Sequence, residues 1–319
     1  MLNLSGKRIC GGVLTLIALM VSITPGVCAA EDAPSRQRHI AVVVNQQDVP
    51  YEEVLAGFRS TLIHQEQKSV LNMIHLSMDE QQQARTIADL QAQRPTLIIA
   101  LGSVSLQAVS RQIQDIPIIF GLVLGDNQSL PGNVTGVFLD FSLETQFKWL
   151  QKILPKAENI GVIYNPAQND EKIAAAKIIT ARLGLQLDAH AITSPRELPA
   201  ALEKMARSAD VFWGINDQLV VTPQTARNLL LFSFRNRIPF IGLSEVWVKA
   251  GALFALDRDY QDIGRQCAVL AEKILSGSQV GDLAPESPQG VNYILNHHTA
   301  EQMKLELPAA LLQGAAKVY

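Results

Sequence analysis

The sequence predicts an α/β fold of two lobes, each built on a parallel sheet, and three observations carry this. Short apolar runs alternate with segments of helical periodicity from residue 39 onward. Such β-α-β-α alternation means a parallel sheet with helices on both faces. A second series of the same kind starts near residue 159, after Pro155. At 319 residues, with 48% hydrophobic and 18% charged side chains, the chain also exceeds one typical core and suits dense packing.

Residues 1–30 stand apart. Lys7 and Arg8 precede an apolar stretch at 13–23, and Pro25-Gly26 leads to the candidate cleavage sites Val27-Cys28-Ala29 and Cys28-Ala29-Ala30. This pattern predicts a cleaved signal peptide and an extracytoplasmic, periplasmic-type location, with an uncleaved anchor as the alternative. Pro25-Gly26-Val27 lacks the small residue expected directly before a lipidated cysteine, so a soluble exported protein is expected. Without Lys7 and Arg8, 25 basic and 30 acidic side chains remain, a net charge of −5, which gives no reason to expect nucleic acid as a partner. Only Cys267 remains beyond the signal, so no internal disulfide is expected there.

The first series runs as follows. Residues 39–44 (HIAVVV) read as a strand buried on both faces and ending at Asn45; 51–65 read as a helix with Val54, Leu55, Phe58 and Leu62 on one side. A strand at 70–76 precedes Asp79-Glu80-Gln81-Gln82, which fits a capping box for a helix to about 93. The organising stretch is 96–110, TLIIALGSVSLQAVS. An apolar strand breaks at Gly102 and feeds a helix at Ser103, Val104 and Ser105, leaving unpaired N–H groups where a helix favours negative charge. The simpler reading is a strand–helix turn with a serine cap. A strand at 116–120 and the loop 122–126, with Asp126, complete the series.

An extended segment at 133–141 leads to Ser142, a helix cap, and to the stripe Leu143, Phe147, Leu150 and Leu154. The second series has strands at 159–164, 185–191, 210–214 and 238–242. Asn165-Pro166, Ser194-Pro195, and Thr222-Pro223 open its helices, while Asn216-Asp217 and Glu245 follow its strands. Residues 253–256 read as a second crossing segment. A helix at 260–275 buries Ile263, Cys267, Leu270 and Ile274, which makes Cys267 a packing residue. A strand at 291–295 and a helical, then irregular, tail follow.

Ligands of parallel sheets sit beyond the carboxyl ends of the strands. Asn45, Ser103, Val104, Ser105 and Asp126 would face Asn165, Asn216, Asp217 and Glu245 across a cleft between lobes, with Tyr51, Phe212 and Trp213 as candidates for an apolar wall; core packing is the simpler reading of the last two. A carboxylate held by serine hydroxyls and free amides, opposite an ammonium held by Asp217 or Glu245, is what an amino acid needs. For each acid the simpler reading is a solvated loop or a helix cap. The chain has no G-x-S-x-G, Walker A or G-x-G-x-x-G motif, so no enzyme and no cofactor are expected. His297-His298 stands without spaced ligands, so no metal site is expected. An exported hydrolase using Ser103 remains a third class, and it predicts turnover.

In order along the chain, Tyr51…Gly57-Phe58, ALGSVSLQAV, IPIIFGLV, PGNVTG, KILPKAENIGVIYNP, the strand ending Asn216-Asp217, RIPFIGL, Ala250-Gly251-Ala252, Asp259-Tyr260…Ile263-Gly264 and Asn296…Ala300 follow the exported start. Together they resemble the ABC-transporter substrate-binding proteins of type I periplasmic-binding fold, the family that includes tryptophan-binding members, over about residues 39–307. Family members often carry Ser/Thr-Asp-Pro after the IPIIF-like strand; here the loop is Leu124-Gly125-Asp126-Asn127. The resemblance implies two Rossmann-like lobes joined by a three-segment hinge near 138–141, 255–258 and 289–291. The lobes would be 38–140 with 257–288, and 141–256 with 289–319. It further implies a small-molecule ligand, an amino acid or a related small molecule, and a membrane permease as partner, with a membrane sensor as the alternative. A monomer is expected.

Overall fold

The computed structural model describes residues 38–63, 69–125 and 130–319. The expected signal peptide and Asp126 lie outside the described residues.

The first series folds as β1 (Arg38–Val44), α1 (Val49–Ile63), β2 (Ser69–His75), α2 (Glu80–Gln93), β3 (Leu97–Leu101), α3 (Ser103–Gln112), β4 (Ile118–Val123) and β5 (Val134–Phe138). They form an all-parallel sheet of order β2-β1-β3-β4-β5. The strands are apolar on both faces because helices cover both. Ile40, Val42 and Val44 enter one core cluster and Ala41 and Val43 the other, the two-residue period of a strand. The fourth strand starts later than the sequence reading placed it, because Pro117 lacks an N–H and contributes only its carbonyl, which accepts from Ile98. Between Phe120 and Val123 this strand carries one residue more than β5, a bulge, with Leu122 at φ 59°.

The second series folds as α4 (Leu143–Ile153), β6 (Asn159–Tyr164), α5 (Pro166–Arg182), β7 (Gln186–Ala191), α6 (Leu198–Met205), β8 (Val211–Trp213), α7 (Pro223–Asn236), β9 (Phe240–Ile241), α8 (Glu245–Lys249) and β10 (Phe254–Arg258). After α9 (Tyr260–Leu275) come β11 (Val291–Leu295), α10 (His297–Met303), α11 (Ala309–Gly314) and β12 (Lys317–Val318). The second sheet has the order β12-β11-β10-β9-β8-β6-β7. It is parallel from β7 to β10, and β11 runs antiparallel to β10. Three details depart from the sequence reading. Residues 254–256 belong to a sheet strand, α8 begins at Glu245, and the tail adds an edge strand. Caps hold where the sequence placed them: Asp79, Ser142 and Asn165 accept from Gln82, Thr145 and Ala167 N–H groups, and Thr222 forms a capping box with Thr225.

The helix α9 returns to the first sheet. Ile263, Cys267 and Leu270 pack with Ile40, Val42 and Ile99. Its crossing with α1 is close because two glycines meet there: a Cβ on Gly57 would lie 2.0 Å from the Gln261 carbonyl oxygen, and one on Gly264 2.0 Å from that of Val54. Cys267 is wholly buried, and burial pushes its thiol up to about 12, the inert packing role its stripe predicts.

The chain therefore passes between the sheets three times. Arg258 Nε donates to the Leu139 carbonyl at 2.8 Å, joining the second crossing to the first. Gly290 N–H donates to Asp262 Oδ2 at 2.7 Å, joining the third to α9. Among the described residues no helix is long and apolar enough to cross a membrane.

Candidate ligand-binding site

Both sheets have the same strand logic, and it places the site. In the first, chain order reverses between β1 and β3; in the second, between β6 and β8. Loops leaving such a reversal diverge and open a crevice.

At the first crevice Val44 pairs with Leu101, which sets Asn45 beside Gly102. Gly102 has φ 86°, and a Cβ there would lie 2.4 Å from the Tyr51 hydroxyl and 3.2 Å from Asn45 Oδ1. Only glycine lets these two polar groups reach the start of α3. That helix has no side-chain cap, unlike α2, α4, α5, α7 and α9. Ser105 is fully buried and donates to Asn45 Oδ1 at 3.4 Å. Ser103 and Val104 are exposed. Burial, with Asp48 adding, pushes the Tyr51 phenol above its ordinary value, so it remains a donor at neutral pH. Asn45, Tyr51, Ser103, Val104 and Ser105 thus come together as the sequence arranged them.

At the second crevice Asp217 is 2% exposed, and its carboxylate is saturated by the protein. Oδ2 accepts from the Asn165 N–H at 2.7 Å and from Asn169 Nδ2 at 2.9 Å; Oδ1 accepts from the Leu219 and Val220 N–H groups at 2.9 and 3.0 Å. Asp217 therefore braces the loop. Asn165 caps α5, and Asn216 is exposed at the cleft wall.

Beside it lies a cleft of about 680 Å³, open solvent included, at the carboxyl ends of β8 and β9 and along the first two crossing segments. Asp140, Phe141, Gln146, Lys172, Trp213, Asn216, Leu256 and Arg258 are among its walls. Trp213 Nε1 donates to Gln146 Oε1 at 3.1 Å, and Gln146 Nε2 donates to the Phe141 carbonyl at 2.8 Å, fixing the apolar wall. Arg258 lies 3.8 Å from Asp140 Oδ1 and 5.8 Å from the centre of the Phe141 ring. Asp140 Oδ2 accepts from Gly125 N–H at 3.0 Å, which brings the end of β4 to the hinge. Of the residues put forward from sequence as ligand contacts, Asn216 lines this cleft; Trp213, named as an apolar-wall candidate, both lines it and packs on Phe147 at 4.9 Å. Asp140 and Arg258 were not put forward, although both lie in segments expected to form the hinge.

Glu245 lies elsewhere. It opens α8 and is bound by the tail, through Lys317 Nζ at 2.8 Å and the Tyr319 hydroxyl, and by Lys249 Nζ of its own helix at 3.1 Å. Lys317, then Tyr319 and Lys249, hold its carboxyl down at about 2, against 4.5 ordinarily. A depressed folded-state value contributes stability above the unfolded value and loses it as pH falls through the folded one. The tail is therefore expected to release between about pH 4.5 and 2, seen as faster amide exchange at Lys317 and Val318; a Glu245→Gln variant should show that faster exchange already at pH 7.

A family model for ABC transporter substrate binding proteins matches residues 38–319. The chain belongs to this family. This ABC substrate-binding protein is 28% identical over 220 residues to a tyrosine-binding protein of Clostridioides difficile (strain R20291), covering 66% of this chain and 63% of the relative. It is 26% identical over 189 residues to an uncharacterized protein of Rickettsia prowazekii (strain Madrid E), covering 59% and 60%. The matches thus span less than two thirds of these relatives' lengths. Among solved structures, the ligand-free, open form of a substrate binding protein with adhesive properties from Clostridium difficile has TM-score 0.68 at 21% identity, covering 88% of this chain and 99% of that one. An ABC domain in complex with L-Trp from Streptococcus pneumonia has TM-score 0.53 at 17% identity, covering 89% and 100%. The fold is that of the type I periplasmic-binding proteins, two parallel-dominated sheets joined by three crossings.

Proposed function

We propose that this substrate-binding protein captures an amino acid with an aromatic side chain between its lobes and presents it, outside the cytoplasm, to an ABC permease. The observation that supports this most directly is the hinge group. An opposite-charge pair, Asp140 and Arg258, borders an apolar wall of Phe141, Trp213 and Leu256. An amino acid brings one charge of each sign, and an aromatic side chain fills an apolar wall. In this reading Asp140 receives the ammonium. The uncapped start of α3, with Ser103 and the Tyr51 hydroxyl, receives the carboxylate when the lobes 38–140 with 257–288 and 141–256 with 289–319 close. Closure expels water and strengthens both contacts. The relatives named for tyrosine and found with L-Trp agree in ligand class.

The test is thermal unfolding of residues 31–319 with L-tyrosine, L-tryptophan, nucleosides and sugars. A ligand of the folded state raises the midpoint with concentration, by about 2.7 kcal/mol at a hundredfold excess over its dissociation constant. Asp140→Asn should weaken amino-acid binding at least about tenfold, roughly 1.4 kcal/mol. A folded protein whose midpoint ignores every amino acid would sink the proposal.

A further inference from the structure

The strand β4 holds a residue in a conformation its side chain resists. Leu122 has φ 59°, is not glycine, and is 7% exposed. Phe120 pairs with Gly136 and Val123 with Phe138, so Gly121 and Leu122 together oppose Val137 alone. A left-handed leucine inside a sheet persists only where its surroundings over-determine it, and such strain concentrates at working sites.

The bulge has a definite downstream effect. It shifts the strand's alternation by one residue, so that Leu122 joins Ile119 in one core cluster and Val123 joins Ile118 and Phe120 in the other. Val123 then presents its carbonyl to the Leu139 N–H at 2.8 Å, and Gly125 N–H meets Asp140 Oδ2 at 3.0 Å. Asp140 is the carboxylate that faces Arg258.

We propose that Leu122 is a positioning residue for ligand capture: its left-handed backbone turns the end of β4 onto the hinge and holds Asp140 at the cleft through Gly125. This rests on the ligand reading above. Leu122 itself touches no ligand; its backbone conformation, more than its side chain, is what matters.

That distinction gives the experiment. Leu122→Val keeps an apolar side chain but opposes φ > 0, whereas Leu122→Gly removes the side chain and favours it. Amide exchange of Gly125 in the ligand-free protein, affinity for L-tyrosine and L-tryptophan by calorimetry, and the thermal midpoint are measured for both. Leu122→Val should speed Gly125 exchange and weaken binding about tenfold. Leu122→Gly should keep slow exchange and affinity near wild type, although its midpoint falls. The reverse order, or a Leu122→Val protein that loses only thermal stability, overturns the proposal. If Leu122→Val does not fold, Leu122→Asn, which tolerates the left-handed region, must protect Gly125 better than Leu122→Ala; the opposite result overturns it. A wild type that binds neither amino acid defeats the ligand reading, and Gly125 exchange then still decides the positioning.

Discussion

Asp217→Ala is expected to lower the thermal midpoint by roughly 10 °C, because it strips one buried carboxylate from four donors at once. An unsatisfied buried donor costs about 1–3 kcal/mol, and each kcal/mol shifts the midpoint by about 2–4 °C in a chain approaching this size. The Asn165, Leu219 and Val220 N–H groups lose the acceptor they use, and Asn169 Nδ2 is left with the Asn216 carbonyl at 3.2 Å. Asp217→Asn should recover only part of the loss, since an amide offers one acceptor oxygen where the carboxylate uses two. The measurement also separates two roles. A brace for the loop costs stability first and ligand affinity second. An ammonium contact would cost affinity at an unchanged midpoint, and that outcome would restore Asp217 to the ligand set.

Gly264→Val should be as damaging, for a steric reason. A Cβ at this position would lie 2.0 Å from the Val54 carbonyl oxygen and 2.8 Å from Phe58 N, both backbone atoms of α1. No rotamer change relieves a clash with backbone, so α9 must move off the first sheet. Overpacking typically costs about 1–3 kcal/mol, occasionally more, and here the displaced helix carries Ile263, Cys267 and Leu270 with it. Thiol labelling offers the readout: Cys267 is unreactive while α9 is seated and becomes accessible when it lifts. A Gly264→Val protein whose Cys267 labels at the wild-type rate would show that the crossing tolerates more than its geometry allows.

The fold was legible because its signals are local. Alternating apolar runs, the Ser142 and Asn165 caps and the Thr222-Pro223 start each act within a few residues. The tail strand β12 carried less signal: it has two residues, and its pairing with β11 comes from outside the tail. The site divides in the same way. Asn45 and the Gly102–Ser105 turn were legible as candidates because a strand end at a chain reversal is a general binding position. Asp140 and Arg258 were not singled out, since their meaning arises only when two crossings lie side by side, and they are 118 positions apart in the chain. Glu245 and Asp217 show the converse. Each is an acid after a strand, and each has its carboxylate engaged by protein groups, the tail for one and loop amides for the other.

The return of α9 to the first sheet has a consequence for how the polypeptide matures. The wall formed by Ile263, Cys267 and Leu270 is supplied by residues that emerge from the ribosome only after all strands of the second series up to β10. The amino-terminal half thus waits, with one sheet face covered by α1 but not yet by α9, until synthesis has passed Leu275. A nascent chain stalled before that point should remain protease-sensitive and available to holding chaperones.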